Sequence, residues 1–153
     1  MPLEEFIQNV AGRSPTMAVA DALGKYFNAS LEAALRRMLD LSERAYCLLW
    51  LSKRLKPKEE KSGGPEFDFG FEQAKPKLRV DYQFASPSWK AYIPKHKSVP
   101  DESILYAVVE GEAYERQTED WSILNVGKVH IEAVGSLHCH PETVGAMALL
   151  SSV

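Results

Sequence analysis

Cysteine is scarce in this sequence of 153 residues, which contains only Cys47 and Cys139 and has no CxxC pair. This excludes the disulfide framework of a small secreted domain and is typical of a reducing cytosol. No apolar run reaches the ~20 residues that a membrane-spanning helix needs. The N-terminal residues include Glu4 and Glu5 where a signal peptide would have a basic region. We therefore expect a cytoplasmic protein with no membrane partner.

The sequence also lacks the common signatures of enzymes. The motifs HExxH, GxGxxG, GxxxxGKS/T and GxSxG are all missing. A Cys/His nucleophilic pair is not indicated, because nothing marks either cysteine as activated. We therefore predict no catalytic residue and no cofactor in this chain.

Two histidines are the only weak candidates for a metal site. His138 and His140 are two residues apart, so on a strand both side chains would point to the same face. Zinc needs a third or fourth ligand. The other candidates have no telling spacing: His96, His130, Glu132 and Glu142. A surface turn leading into Pro141 is the alternative interpretation, and we predict no metal site from this pair.

Net charge gives no overall reason to bind nucleic acid, because the formal charge is −3. Basic residues are nevertheless concentrated in one half of the chain: residues 1–62 hold ten Lys and Arg against eight Asp and Glu. Hydrophobic residues make up 45% of the sequence, which is enough for a packed core. The basic half coincides with the predicted helices.

Residues 16–41 predict two short helices joined by a tight turn. Apolar residues recur at helical spacing up to Phe27, and Ser30 is a good N-cap for a second helix at residues 31–41. Helix, short turn and helix is the plan of a DNA-binding helix-turn-helix unit. An ordinary antiparallel helix pair gives the same pattern, so both interpretations stay open.

Several polar residues of this unit are candidates for contact with DNA or with a repressor protein. Arg36, Arg37 and Arg44 would reach phosphates, and Ser30 begins the helix that would enter the major groove. The alternative is that these are solvated surface charges interleaved with acidic residues. Recognition of a protein by the same helices is equally consistent with the pattern.

The rest of the chain predicts an α+β fold with an antiparallel sheet. Residues 45–52 read as a buried strand, and residues 77–84 alternate so that Leu78, Val80, Tyr82 and Phe84 share one face. A helix is expected at 101–111 and further strands at 113–121, 128–138 and 143–150. The predicted organisation is a three-helix, helix-turn-helix-like unit at 1–52 whose first helix covers 2–12, a flexible linker at 53–76 and an α+β domain at 77–153.

Aromatic residues are frequent in the sheet half, and four of them are candidates for a ligand pocket. They are Tyr82, Phe84, Trp89 and Tyr92. Such residues more often belong to a core, but an α+β sensor domain would use them to bind a small-molecule signal.

The chain as a whole resembles one known family. The stretch MPLEEF followed by VADALGKYFNASLEAALRRMLDL is similar to the segment after the catalytic core of ImmA/IrrE zinc metallopeptidases. Met1-Pro2 would match the family's Met-Pro step. The helix pair would match at Leu23, Phe27, Ser30, Ala33, Ala34, Leu35 and Arg36. The stretch RVDYQFASPSWKAYIPKHKSVP is similar to the GAF-like sensor domain of the longer, IrrE-like members.

This resemblance implies a regulatory role without catalysis. In the family, zinc and the HExxH motif precede the Met-Pro step, so no residue here matches a catalytic position. The chain would be a fragment, a product of an internal start, or a relative that lost its peptidase. In the parent, zinc-activated water cleaves a helix-turn-helix repressor and relieves repression of stress genes. The helices would place that repressor and the sheet domain would sense a signal. The alternative is a small DNA-binding regulator with a ligand-sensing domain.

Overall fold

The computed structural model describes residues 2–62, 74–111, 115–135 and 144–153. The α-helices within these ranges are α1 (Leu3–Val10), α2 (Met17–Phe27), α3 (Leu31–Asp40), α4 (Pro57–Ser62) and α5 (Ile104–Gly111). The strands are β1 (Tyr46–Arg54), β2 (Lys77–Ala85), β3 (Glu115–Asp120), β4 (Lys128–Gly135) and β5 (Gly145–Ser152). This arrangement confirms the predicted α+β class, with helices near the N-terminus followed by an antiparallel sheet.

The described strands form one five-stranded antiparallel sheet in the order β2-β1-β5-β4-β3. The strand predicted at residues 45–52, which the predicted organisation groups with the helical unit, lies inside this sheet, because β1 pairs with both β2 and β5. Every residue of β1 from Tyr46 to Ser52 is buried. A strand buried on both faces reads as a continuous apolar run, which explains the sequence YCLLWL.

The two faces of the sheet are covered by different elements. One face, here called the helical face, packs against α1, α2 and α3, and its core contains Phe6, Leu23, Leu35, Leu39, Leu48, Trp50 and Leu149. The opposite face packs against α5 and the connecting segments, and its core contains Leu49, Val80, Ile93, Leu105, Trp121, Ile131 and Leu150. The helices near the N-terminus thus share the core of the helical face with the sheet.

Part of the predicted linker has regular structure. Lys53 and Arg54 are the last residues of β1, and α4 follows at Pro57–Ser62. Residues 63–73 lie outside the described part of the chain. The helix predicted at 101–111 begins at Ile104, and the predicted strands at 113–121, 128–138 and 143–150 correspond to β3, β4 and β5.

The prediction that Leu78, Val80, Tyr82 and Phe84 share one face is wrong. The register between β1 and β2 shifts at one point, where Trp50 pairs with Tyr82 but Leu51 pairs with Val80. Asp81 is therefore an extra residue, a β-bulge that inverts the alternation of side chains after it. Leu78 and Val80 lie in the core on the α5 side, whereas Phe84 packs into the core of the helical face.

The predicted N-cap of α3 is confirmed. The Ser30 hydroxyl accepts a hydrogen bond from the backbone N–H of Ala33 at 3.1 Å. Thr16 caps α2 in the same way, accepting from the N–H of Val19 at 3.1 Å. Between these helices Asn28 adopts the left-handed conformation, with φ 52°, so the chain turns sharply and α3 packs against α2.

We expect Ser30→Ala to lower the free energy of unfolding by about 1 kcal/mol, because one N–H of α3 loses its acceptor. Urea denaturation followed by circular dichroism measures the change. Ser30→Asp is the control, since an aspartate accepts the same hydrogen bond and should leave stability nearly unchanged. Equal stability of the wild type and Ser30→Ala would contradict the capping role.

Candidate functional site

Arg36, a predicted contact for DNA or repressor, joins α3 to the sheet. Its guanidinium carbon lies 5.3, 5.5 and 5.2 Å from the ring centroids of Trp50, Tyr82 and Phe84. Nη2 donates to the Tyr82 hydroxyl at 3.0 Å and lies 3.0 Å from Oε1 of Glu32. Cation–π contacts and charged hydrogen bonds therefore hold the Arg36 guanidinium over these rings, where it stabilises the packing of α3 on the sheet.

Tyr82 completes this junction on the sheet side. Its ring stacks on Trp50 with a centroid distance of 4.1 Å and an interplanar angle of 8°. Its hydroxyl donates to Oε1 of Glu32 at 2.9 Å. Burial, together with the hydrogen bond to Glu32, raises the pKa of Tyr82. The phenol is therefore held in its neutral, donating form.

The candidate polar residues do not form one surface. Ser30 uses its hydroxyl as a cap, and Arg36 is bound to the aromatic rings. Arg37 lies half-buried on α3. Arg44 is exposed beyond the end of α3, where it lines a cleft against the sheet.

The four candidate aromatics do not line a common pocket. Tyr82 and Phe84 lie on the helical face because of the bulge, whereas Trp89 packs against the core on the opposite side. Trp89 lines an open groove of about 440 Å³ with Asn125, and Tyr92 is 69% exposed. Among the described residues the indole Nε1 of Trp89 has no hydrogen-bond partner.

The candidate metal ligands His138 and His140 lie outside the described residues. In the part of the chain that is described, no group of three or more His, Cys, Asp and Glu is placed to hold a metal ion. Cys47 is buried and its thiol donates to the side-chain amide oxygen of Gln83, with the two atoms 3.8 Å apart. Burial raises the pKa of Cys47 to about 12, which keeps the thiol protonated and poorly nucleophilic.

A second polar cluster surrounds the bulge on β2. Oδ1 of Asp81 accepts from the Ser52 hydroxyl and from Nε of Arg54, both at 2.9 Å. Nη1 of Arg54 lies 2.8 Å from Nδ1 of His96. The buried Arg79 donates to the backbone carbonyls of Arg54 and His96, both at 3.1 Å. These groups are paired with one another, so the cluster fastens the segment around residue 96 to the edge of the sheet.

A polar cleft lies where the helical layer meets the sheet, and we call it the seam cleft. It has a volume of about 530 Å³ and its lining includes Ser14, Thr16, Arg44, Arg116, His130 and Glu132. Ser14 and Thr16 belong to the connection between α1 and α2, and the last three residues belong to β3 and β4. The cleft is therefore built from both halves of the chain.

Strand pairing explains the floor of the seam cleft. Tyr46 pairs with Ser151, Ser151 with His130, and His130 with Thr118, so these residues form one row across four strands. Residues directly opposite each other on neighbouring strands lie on the same face, which here is the helical face. The Thr118 hydroxyl lies 2.6 Å from Nδ1 of His130 and orients the imidazole.

Glu132 connects the seam cleft to the helices. It lies in the next row, paired with Leu149 and Arg116, and is only 6% exposed. Its Oε2 accepts from the backbone N–H of Met17, the first residue of α2, at 2.8 Å. Its Oε1 lies 3.6 Å from Nε of Arg116. A buried carboxylate at a helix N-terminus is favoured by the helix dipole and by the free N–H groups there.

His130 and Glu132 have no telling spacing in the sequence, and no sequence pattern marks Arg116 as a site residue. His130 and Glu132 alternate with apolar residues along β4, and that alternation puts both on the polar side of one strand. Arg116 joins them only through the pairing of β3 with β4, which no local pattern reveals.

In comparisons with known proteins, no family model and no curated protein sequence matches this chain. The resemblance to IrrE-like peptidases therefore stays a prediction from the sequence motifs alone. Among the described residues, no helix is long and apolar enough to cross a membrane.

Proposed function

We propose that this chain is the regulatory, repressor-placing portion of an IrrE-like zinc metallopeptidase and has no catalytic residue of its own. The helical layer would contact a helix-turn-helix repressor, and the sheet would sense a small-molecule signal in a GAF-like manner. Zinc would belong to the parent peptidase. The described donor residues do not fit a zinc site, so we assign no step of zinc chemistry to this chain.

One observation carries this proposal: the helical layer is attached to the sheet by polar contacts at two separate points. Glu132 of β4 accepts from the first residue of α2, and Arg36 of α3 is bound to Tyr82 of β2. A structural change in the sheet would therefore alter the contacts that position α2 and α3. Such coupling is what a module that combines sensing with partner placement requires.

The proposal is tested by mixing the purified chain with helix-turn-helix repressors of the same organism, with and without Zn²⁺. We expect binding of a repressor, measured by calorimetry, and no cleavage of it on a denaturing gel. Cleavage by this chain alone would contradict a non-catalytic role. Failure to bind any repressor would contradict the placing role.

An immunoblot of the source cells tests the link to a peptidase. With an antibody against the sheet half, we expect a product larger than the 17.1 kDa of this chain, and peptide sequencing should find HExxH in the additional part. A product of 17.1 kDa would contradict the statement that the chain is part of a peptidase.

A small DNA-binding regulator with a ligand-sensing domain is the second candidate, favoured by the excess of basic residues in residues 1–62. We expect no binding to duplex DNA in fluorescence anisotropy at low salt, because Arg36 is engaged with aromatic rings and Arg37 shares α3 with Asp40. Binding that weakens with added salt and is lost in Arg37→Ala would establish this alternative instead.

A further inference from the structure

We propose that the seam cleft binds a small organic anion, held through its phosphate or carboxylate group by Arg44 and Arg116. This inference names the class of signal for the sensing role in the proposed function, and it depends on that role. The position of the cleft, the charges on its walls and the contacts of Arg116 all favour such a ligand.

The size and composition of the cleft suit a small polar ligand. Its volume of about 530 Å³ lies within the range of ~300–1,000 Å³ that is typical of ligand sites. The floor offers the polar side chains of Ser151 and His130, and the wall from the α1–α2 connection offers the Ser14 hydroxyl. Hydroxyl and imidazole groups both donate hydrogen bonds to anionic oxygens.

The charged groups at the cleft favour an anion. Arg44 and Arg116 both line it, Arg44 from the segment between α3 and β1 and Arg116 from β3. Among the described residues, the Arg44 guanidinium makes no ion pair or hydrogen bond. Glu132 also lines the cleft and is acidic, but its carboxylate already accepts a hydrogen bond from the N–H of Met17. Planar guanidinium groups match the geometry of phosphate and carboxylate oxygens.

Arg116 gives the ligand a route to the helices. It lies 3.6 Å from Glu132, and its side chain is 68% exposed, so it is free to turn toward a ligand. An anion in the cleft would compete with Glu132 for this guanidinium. Glu132 would then rely more on the N–H of Met17, so the bound anion would alter the contact between β4 and the start of α2.

Isothermal titration calorimetry on the full chain tests the proposal, with inorganic phosphate, adenosine monophosphate and succinate as the probes. We expect at least one of them to bind. Arg44→Ala and Arg116→Ala should each weaken that binding at least tenfold, whereas lysine at either position should restore part of it. Arg37→Ala is the matched control, because it removes an arginine from α3 outside the cleft and should leave the affinity unchanged.

The three probes distinguish a phosphate ligand from a carboxylate ligand. Equal affinity for inorganic phosphate and adenosine monophosphate would identify a free phosphate site, and preference for succinate would identify a carboxylate ligand. No binding of any probe, or equal weakening by Arg37→Ala, would overturn the inference. If the anion site fails this test, binding of a repressor, measured separately, would still support the proposed function. Failure of the anion site is therefore distinguishable from failure of the proposed function.

Discussion

Arg36→Ala is expected to lower the free energy of unfolding by about 2–3 kcal/mol. The substitution removes a charged hydrogen bond to Tyr82 and the guanidinium that covers three aromatic rings. Hydrogen bonds to charged groups are worth about 1.5–3 kcal/mol and exposed cation–π contacts about 0.5–1 kcal/mol each. The side chain of Arg36 is 40% exposed, so solvent screening reduces the sum.

Arg37→Ala is the matched control for this experiment. Arg37 is the next residue on α3 and carries the same charge, but among the described residues the cation–π contacts are made by Arg36. Replacement of Arg37 should therefore change stability by less than about 0.5 kcal/mol. Urea denaturation followed by tryptophan fluorescence measures both variants, because Trp50 lies in the junction. Equal effects of the two substitutions would show that Arg36 does not join α3 to the sheet.

Gly24→Ala is expected to destabilise the protein by about 1–3 kcal/mol, although alanine is the better helix former by about 1 kcal/mol. A Cβ at Gly24 would lie 2.8 Å from the carbonyl oxygen of Ala29, which is backbone and cannot move away cheaply. The same turn is closed by a hydrogen bond of 2.8 Å from the N–H of Ala29 to the carbonyl of Gly24. The added methyl group would push α3 away from α2.

Gly111→Ala is the control, because a Cβ at Gly111 would meet no atom of the described residues within 4 Å. Gly111 is the last residue of α5, so alanine there should be neutral or slightly stabilising. Thermal unfolding of both variants gives the comparison. A higher melting temperature for Gly24→Ala would contradict the close approach of α2 and the turn.

Local patterns predict the elements of this fold better than the contacts between them. Ser30 is recognisable as a cap because its hydroxyl acts within three residues, and β4 is recognisable because its side chains alternate. The bulge at Asp81 is not recognisable, since the alternation in KLRVDYQF is uniform. The extra residue is defined only by the pairing of β2 with β1.

The candidate site depends even more on long-range placement. The helical pattern marks Arg36 as a polar residue on the outer side of a helix pair, but its partner Tyr82 is 46 residues away. Likewise the Glu132 carboxylate and the Met17 N–H are 115 residues apart. From the helix alone, Arg36 is therefore either a contact for DNA or a repressor or a solvated charge, and the spacing of Glu132 points to no partner.

The strand order has a consequence for how the chain acquires its structure. β5, at residues 145–152, lies between β1 and β4, so it joins the first strand to the later ones. Until β5 has been synthesised, β1 and β4 each expose an unpaired edge, and the helical layer has an incomplete surface to pack on. Such distant pairing costs loop-closure entropy and slows folding. The nascent chain should therefore stay aggregation-prone until β5 leaves the ribosome.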